Sequence, residues 1–257
     1  MKITDWLRLP EKRVVKDMDD HQQTLLHAEI LKDKPFLRNL YRDFYKELSA
    51  GTAAGPVVEL GSGAGFIKEI IPSAVTSDVL ELPGLDKVFS ATDMPFDDGS
   101  IGGFVMINVL HHISRPREFF AEALRCLKAG GRVAMIEPAN TLWSRFIYKN
   151  FHHELFDEKA EWALPPGGPL AIGNDAMPWI IFCRDRAVFE KEFPLLRVVS
   201  VKKHTPLCYF LSGGFTQRQM LPSFMYPFIR FIERLLSPLS DWLGMFQTIQ
   251  LQKSQEV

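Results

Sequence analysis

A short apolar segment that ends in closely spaced glycines limits the folds open to this chain more than any other feature of its sequence. Val57, Val58 and Leu60 are apolar and mostly β-branched, which is typical of a buried strand. The run stops at Gly61-Ser62-Gly63-Ala64-Gly65, and Phe-Ile-Lys-Glu-Ile-Ile at 66–71 then favours a helix. The sequence therefore predicts a strand, a glycine loop and a helix in succession.

The chain up to residue 140 continues to alternate between strand and helix signals. Further strands are predicted at residues 74–78, 87–91, 103–108 and 132–137. A helix between the last two opens at Pro116 and ends before Gly130-Gly131, a conventional stop signal. Strands that alternate with helices imply an α/β fold with a mostly parallel sheet covered on both faces. Ligands of such sheets bind beyond the carboxyl ends of the strands.

The composition narrows the classes of function. The chain has 257 residues, with 30 basic and 31 acidic side chains and a formal net charge of −1. Proteins that hold nucleic acid neutralise many phosphates with a basic surface, so we expect no nucleic-acid partner. Three cysteines without CxxC spacing favour reduced thiols. With no secretory signal and no apolar run of about 18 residues, we expect a cytoplasmic protein without an integral membrane segment.

Polar side chains follow the predicted strands in order. Glu59 stands two residues before the first glycine of the loop, and Asp78 ends the second strand. Asp93-Met94 follows the third strand, and Asn108 ends the fourth. A dinucleotide-binding fingerprint would have glycine or alanine where Phe66 stands, which speaks against a nicotinamide-dependent oxidoreductase.

Over residues 56–140 this pattern resembles a known family. Glu59-x-Gly61-x-Gly63-x-Gly65, with Asp78, Asp93-Met94 and Asn108 behind it, is similar to the class I S-adenosylmethionine-dependent methyltransferases. Within that class it resembles the type 11 group, which is similar to the quinone-biosynthesis enzymes. The rest of the chain resembles, more loosely, a bacterial branch of these proteins, and this resemblance implies no particular substrate.

The resemblance implies a fold, a cofactor and roles for these residues. The fold would be a Rossmann-like, doubly wound, seven-stranded and mostly parallel sheet, and the cofactor S-adenosylmethionine, with S-adenosylhomocysteine as its product. Gly61, Gly63 and Gly65 would lie against the methionine and ribose portions, and Asp78 would bind the ribose. Asp93 with Met94 would bind adenine, and Asn108 would stand beside the methionine portion. Because residues 79–86 are too few for the usual intervening helix, Glu81 remains an alternative ribose ligand.

We expect residues 1–257 to form a single methyltransferase domain with three parts. These are a helical N-terminal arm at 1–55, a cofactor-binding half at 56–140, and substrate or lid segments with the last two strands at 141–257. The arm is predicted to hold helices at 17–32 and 33–48, because apolar residues recur there at spacings of three and four.

The C-terminal part is predicted to contain an antiparallel pair of strands, at 197–202 and 246–252, and two long insertions. We interpret the insertions, at 141–192 and 203–243, as a lid over the substrate pocket, since loops of this length are uncommon unless functional. Residues 224–236 have the pattern of an amphipathic helix, for which core packing is favoured over membrane contact.

The leading hypothesis is methyl transfer to a small or lipid-like acceptor, with the oligomeric state left open. The alternatives are a non-catalytic scaffold that binds S-adenosylmethionine and a nicotinamide-dependent oxidoreductase. A hydroxyl acceptor needs a base, and His153 with Glu154 is the predicted one, since a neighbouring carboxylate raises the basicity of histidine. An amine or a stabilised carbanion needs no such base. The adjacent residues His111 and His112 could suggest a pair of metal ligands, but adjacent side chains point in different directions on a helix or a strand. A scaffold role is therefore favoured for them, and no metal site is expected.

Overall fold

A computed structural model describes residues 9, 21–50, 54–151, 155–165, 167–168 and 172–255 of the chain. These residues form a seven-stranded sheet with the strand order β3-β2-β1-β4-β5-β7-β6. The strands are β1 (Val57–Glu59), β2 (Val75–Asp78), β3 (Lys87–Val88), β4 (Ile101–Ile107), β5 (Leu127–Pro138), β6 (Leu196–His204) and β7 (Phe246–Lys253).

The sheet is parallel over its first five strands and antiparallel at one edge. β1 pairs in parallel with β2 and β4, β2 with β3, and β4 with β5. β7 lies antiparallel between β5 and β6. The predicted seven-stranded, mostly parallel sheet is therefore confirmed, as is the antiparallel pairing of its last two strands.

Helices cover the sheet and extend beyond it. They are α1 (His21–Asp33), α2 (Pro35–Ser49), α3 (Pro116–Cys126), α4 (Leu142–Phe151), α5 (Met177–Trp179), α6 (Arg186–Glu192), α7 (Cys208–Ser212), α8 (Tyr226–Leu235) and α9 (Ser240–Leu243). A π-helical turn, Ile180–Arg184, joins α5 to α6. No helix within the described ranges is long and apolar enough to cross a membrane.

The helix predicted after the glycine loop is wrong, since the chain forms only a 3-10 turn at Ile67–Glu69. Pro72 follows closely, and proline disfavours helical backbone in the residue before it. The arm also holds Phe66 in place: its ring packs edge-on against Tyr45, with centroids 5.1 Å apart, and the Arg38 guanidinium lies 4.2 Å from its centroid. Contacts of Phe66 with the arm therefore fix this segment, which lacks the turns of a regular helix.

The N-terminal arm is part of the main core. The predicted apolar stripe of α2 is buried, and α2 contacts β4 and β5. Its Phe44 ring packs against Phe246 of β7 with centroids 5.4 Å apart. Lys34, between α1 and α2, is buried and donates hydrogen bonds to the carbonyl oxygens of Gly214 and Gln217. The arm therefore joins the sheet to the second insertion.

The prediction that residues 224–236 pack their apolar face into the core is also wrong. The segment forms a 3-10 turn, Ser223–Met225, and then α8, but Phe224, Phe228 and Phe231 are exposed. The buried positions of α8 are Tyr226, Ile229 and Glu233. Polar anchors, rather than the aromatic stripe, determine which face of this helix turns inward.

Candidate functional site

A cavity of about 1660 Å³ opens at the carboxyl ends of β1, β2 and β4. The glycine loop and the strand ends form one wall, and the arm contributes Gln23, Thr24, His27, Tyr41 and Tyr45. Residues from both insertions, among them Tyr148 and Phe210, form the remainder. The cavity thus lies where parallel α/β sheets bind ligands.

Glycine is favoured at the three positions of the loop for different structural reasons. Gly61 has φ +64°, and a Cβ there would collide with Val109. Gly65 packs against Tyr45, Ser62 and Glu59, so that a Cβ would have no room. Gly63 has φ +45°, but a Cβ would meet only ordinary contacts, the nearest being the Thr24 methyl carbon at 3.6 Å. Gly63 is therefore the member of the loop whose backbone faces open cavity.

Asp78 fixes the loop to the end of β2. The Gly63 N–H donates to its Oδ2 at 3.0 Å, and the Leu80 N–H donates to its Oδ1 at 3.1 Å. Each carboxylate oxygen keeps a second lone pair, and the side chain, although buried, lines the cavity. Glu81 is exposed and lies outside the cavity lining, so the structure favours Asp78 of the two proposed ribose ligands.

Glu59 brings a buried carboxyl group to the cavity wall. Burial raises its pKa from the usual 4.5 to about 7, while hydrogen bonds with Tyr45 and Ser62 act in the opposite direction. Its Oε2 has no hydrogen-bond partner among the described residues. A buried carboxylate oxygen in this situation suits a ligand that donates from a positively charged group, because the pair would offset the cost of burial.

The segment after β3 brings Ser90 and Thr92 to the cavity, but not the predicted adenine ligands that follow them. The hydroxyls of Ser90 and Thr92 are 2.8 Å apart, and both residues line the cavity. Asp93 is exposed and outside the lining. Met94 is buried in the core, where its N–H donates to Glu122. The structure therefore does not bring Asp93 and Met94 to this cavity, and their role stays a prediction.

Asn108 and the buried His111 lie at the end of β4. Asn108 lines the cavity with an unusual φ of +57°. His111 lies in the 3-10 turn Leu110–His112, and its Nδ1 is 2.6 Å from Glu137 Oε2. Glu137 is fully buried, and its other oxygen accepts the N–H groups of Val109 and Leu110. In the tautomer whose Nδ1–H donates to Glu137, the lone pair of neutral imidazole lies on Nε2, on the side of Asp175.

Asp175 completes this group from the first insertion. Its Oδ1 lies 3.7 Å from His111 Nε2, and both side chains line the cavity although they are buried. A carboxylate at this distance stabilises the protonated imidazolium. No local sequence pattern predicts this group, because Asp175 is 64 positions from His111.

The predicted bases, His153 and Glu154, lie outside the described residues. The insertion that carries them lines the cavity through Ile147, Tyr148 and Leu164, and the second insertion through Tyr209 and Phe210. The side chains that the insertions contribute to the lining are mostly apolar or aromatic, with Asp175 and Gln217 among the exceptions, whereas the glycine loop and the strand ends contribute Glu59, Ser62 and Asp78. Within the described ranges, no group of three or more His, Cys, Asp or Glu side chains is placed to hold a metal ion.

Comparison with known proteins identifies the class to which this fold belongs. A methyltransferase domain family, type 11, matches residues 69–135. Among solved structures, an S-adenosylmethionine-dependent methyltransferase from Thermotoga maritima superposes with a TM-score of 0.51 at 15% identity, covering 83% of this chain and 89% of that one. A chain from the Haloferax volcanii complex of the Trm112 activator with a methyltransferase has a TM-score of 0.50 at 12% identity, covering 94% and 100%. The fold is that of the class I S-adenosylmethionine-dependent methyltransferases, as predicted.

Within this class, the chain is similar over residues 69–135 to the type 11 methyltransferase domain, a match that covers less than half of its length. Over 100 residues it is 33% identical to a demethylmenaquinone methyltransferase from Clavibacter sepedonicus. That match spans 35% of this chain and only 39% of the length of the relative.

Proposed function

We propose that the protein transfers a methyl group from S-adenosylmethionine to a small, lipid-like acceptor. One observation carries the proposal: a single cavity joins a polar end at the glycine loop to an apolar end formed by the two insertions. Its volume of about 1660 Å³ exceeds the roughly 300–1,000 Å³ of an ordinary ligand pocket, so it has room for cofactor and acceptor together.

The polar end fits the chemistry of the cofactor. Glu59 offers a buried carboxylate oxygen for the amino group, and the open backbone at Gly63 allows close approach. Asp78 retains acceptor capacity for the ribose hydroxyls. When bound, S-adenosylmethionine supplies an activated methyl group on a sulfonium, so the protein has chiefly to align the acceptor and exclude water.

The apolar end supports the choice of acceptor. Aromatic and aliphatic side chains from both insertions line it, which suits a molecule with a ring or a hydrocarbon chain. The name of the demethylmenaquinone methyltransferase relative is consistent with such an acceptor.

For a hydroxyl acceptor, the described cavity offers His111 as a base. Glu137 orients the ring through Nδ1, and Asp175 stabilises the positive charge that appears when Nε2 takes the acceptor proton. His153 and Glu154 remain the other proposed base, and substitution at each position distinguishes them. In this proposal, residues 1–257 act as a single methyltransferase domain in the bacterial cytoplasm, without a nucleic-acid partner.

The proposal is tested by incubating the purified protein with methyl-labelled S-adenosylmethionine and fractionated bacterial extract. We expect label to enter the lipid-soluble fraction, and Gly63→Val to abolish both transfer and S-adenosylhomocysteine binding, because valine disfavours the positive φ and blocks the open backbone. Calorimetry with S-adenosylhomocysteine and NAD separates the alternatives. A scaffold would bind the former without transfer, and an oxidoreductase would bind NAD instead.

A further inference from the structure

Helix α8 turns Arg230 and Glu233 inward, whereas Phe228, Phe231 and Leu235 are exposed. Glu233 is buried and accepts the N–H groups of Leu207 and Cys208 at 2.8 and 2.7 Å, at the start of α7. Arg230 donates to Glu233 at 2.7 Å. Tyr226 and Ile229 pack into the core beside this ion pair, but the phenylalanines of the helix, which an amphipathic pattern would place there, are turned outward.

The arm holds α8 in this orientation from a second side. The Tyr226 hydroxyl donates to Asp43 of α2 at 2.6 Å, and Arg230 Nε lies 3.3 Å from the same carboxylate. Rotating α8 to bury its phenylalanines would break these contacts and the buried pairing of Glu233. The outward position of the apolar side chains is therefore imposed by the fold.

The exposed side chains form a continuous series along the chain, here termed the apolar strip. It comprises Phe224, Phe228, Phe231, Leu235, Leu239 and Trp242, each between 41% and 78% exposed. The first four recur at spacings of four, three and four, which places them on one face of α8 and its preceding turn. Apolar patches of this kind on a protein surface mark a site of contact with an apolar partner.

The charge around the strip distinguishes among such partners. The exposed Lys202 and the half-buried Lys203 lie on β6, which α9 contacts, and Lys203 pairs with Asp241, the acidic side chain of α9. Arg234, next to Leu235 of the strip, is exposed. A Phe- and Trp-bearing helix face with basic residues around it is the combination that binds at the surface of anionic membranes.

The strip also adjoins the cavity wall. Helix α9, which carries Trp242, contacts α4. Helix α4 exposes Leu142 and Phe146 on its outer side and lines the cavity with Ile147 and Tyr148. A partner seated on the strip would therefore lie close to the apolar end of the cavity.

We propose that the apolar strip docks the protein onto the surface of a lipid bilayer that contains anionic lipid. Phe228, Phe231 and Leu235 enter the boundary between headgroups and acyl chains, while Arg234 and the neighbouring cations face the headgroups. The docking rests on the strip alone; its further consequence, supply of a lipid-like acceptor from the bilayer, rests on the proposed function.

Co-sedimentation of the full chain with vesicles tests the docking. We expect binding to phosphatidylcholine vesicles that contain phosphatidylglycerol, and weaker binding to phosphatidylcholine alone. The double substitution Phe228→Ser and Phe231→Ser should weaken binding by roughly 10-fold or more, because two rings no longer leave water. The matched control is Val88→Ser, an exposed apolar residue on β3 at the opposite edge of the sheet from β6, which should bind vesicles like the wild type.

Two further measurements keep the result interpretable. The double variant should melt like the wild type and bind S-adenosylhomocysteine unchanged, since its substituted side chains are exposed and outside the cavity lining. Absence of wild-type binding to either vesicle, or equal binding by the double variant, overturns the proposal. So does sedimentation equilibrium that shows a wild-type dimer lost in the double variant, which would assign the strip to a second copy of the chain.

Discussion

At the scale of single residues, the buried carboxyl of Glu59 makes cofactor affinity depend on pH. Its pKa of about 7 means that the free protein carries this group largely protonated at pH 6 and largely ionised at pH 8. The positively charged amino group of S-adenosylhomocysteine prefers the ionised form. The ionised fraction of Glu59 rises from about one tenth at pH 6 to about nine tenths at pH 8. We therefore expect the affinity for S-adenosylhomocysteine, measured by calorimetry, to rise about 10-fold over this interval.

Glu59→Gln should bind more weakly at pH 8 and lose this pH dependence, whereas Glu81→Gln, exposed and outside the cavity, should retain it. Stability gives an independent check. A raised carboxyl pKa contributes stability that is present below pH 4.5 and lost as the pH rises through 7. Glutamine does not titrate, so the free energy of unfolding of Glu59→Gln should rise by roughly 2 to 4 kcal/mol relative to that of the wild type between pH 4.5 and pH 8. A pH-independent wild-type affinity would remove Glu59 from the amino-group site.

His111 supports a second prediction at this scale. If it is the base, His111→Asn should reduce methyl transfer to a hydroxyl acceptor by about 100-fold while S-adenosylhomocysteine affinity is retained. Glu137→Gln should also lower the rate of transfer while S-adenosylhomocysteine affinity is retained, because an amide replaces the carboxylate that orients the ring through Nδ1. The same loss on substitution of His153 and Glu154 together, with His111→Asn fully active, would assign the base to the first insertion instead.

At the scale of elements, the sequence predicted those that depend on local pattern and failed where tertiary contacts decide. The strands, α2 and α3 follow from periodicity and stop signals that are independent of the rest of the chain. The turn at Ile67–Glu69 depends on Phe66 being held by Arg38 and Tyr45 of the arm, which no local pattern reveals. The periodicity of α8 identified a helix but not its orientation, because Glu233 and Arg230 outweigh the aromatic stripe.

The anchoring of α8 gives a stability prediction. Glu233→Ala leaves the buried N–H groups of Leu207 and Cys208 without their acceptor and removes one of the two carboxylates beside Arg230. We expect it to lower the free energy of unfolding by about 3 kcal/mol, as for other broken buried ion pairs, in a denaturant titration. Glu190→Ala is the control, since its ion pair with Arg186 is exposed and should contribute less than about 0.5 kcal/mol. Equal stability of the two variants would mean that Glu233 does not hold α8.

At the scale of the whole molecule, the cavity is assembled from parts of the chain that are far apart in sequence. The glycine loop, Asp78 and Asn108 could be predicted because each follows a recognisable strand. The contribution of the arm could not, because α1 has only a weak apolar periodicity and Thr24 reaches the loop through the tertiary fold alone. The same holds for Asp175 beside His111, which meet only when the first insertion folds onto the end of β4.

The arm's place in the cavity wall predicts that α1 responds to the cofactor. Gln23, Thr24, His27 and Leu31 line the cavity opposite the glycine loop, so a ligand held between them should restrain both walls. At S-adenosylhomocysteine concentrations about 100 times Kd, amide hydrogen exchange should slow by up to about 100-fold in the loop and α1 alike. None of the residues of α6 lines the cavity. Amides of this helix that exchange through local opening, rather than through global unfolding, should therefore keep their exchange rate. Protection of the loop with unchanged exchange in α1 would show that the cofactor contacts the sheet but leaves the arm free.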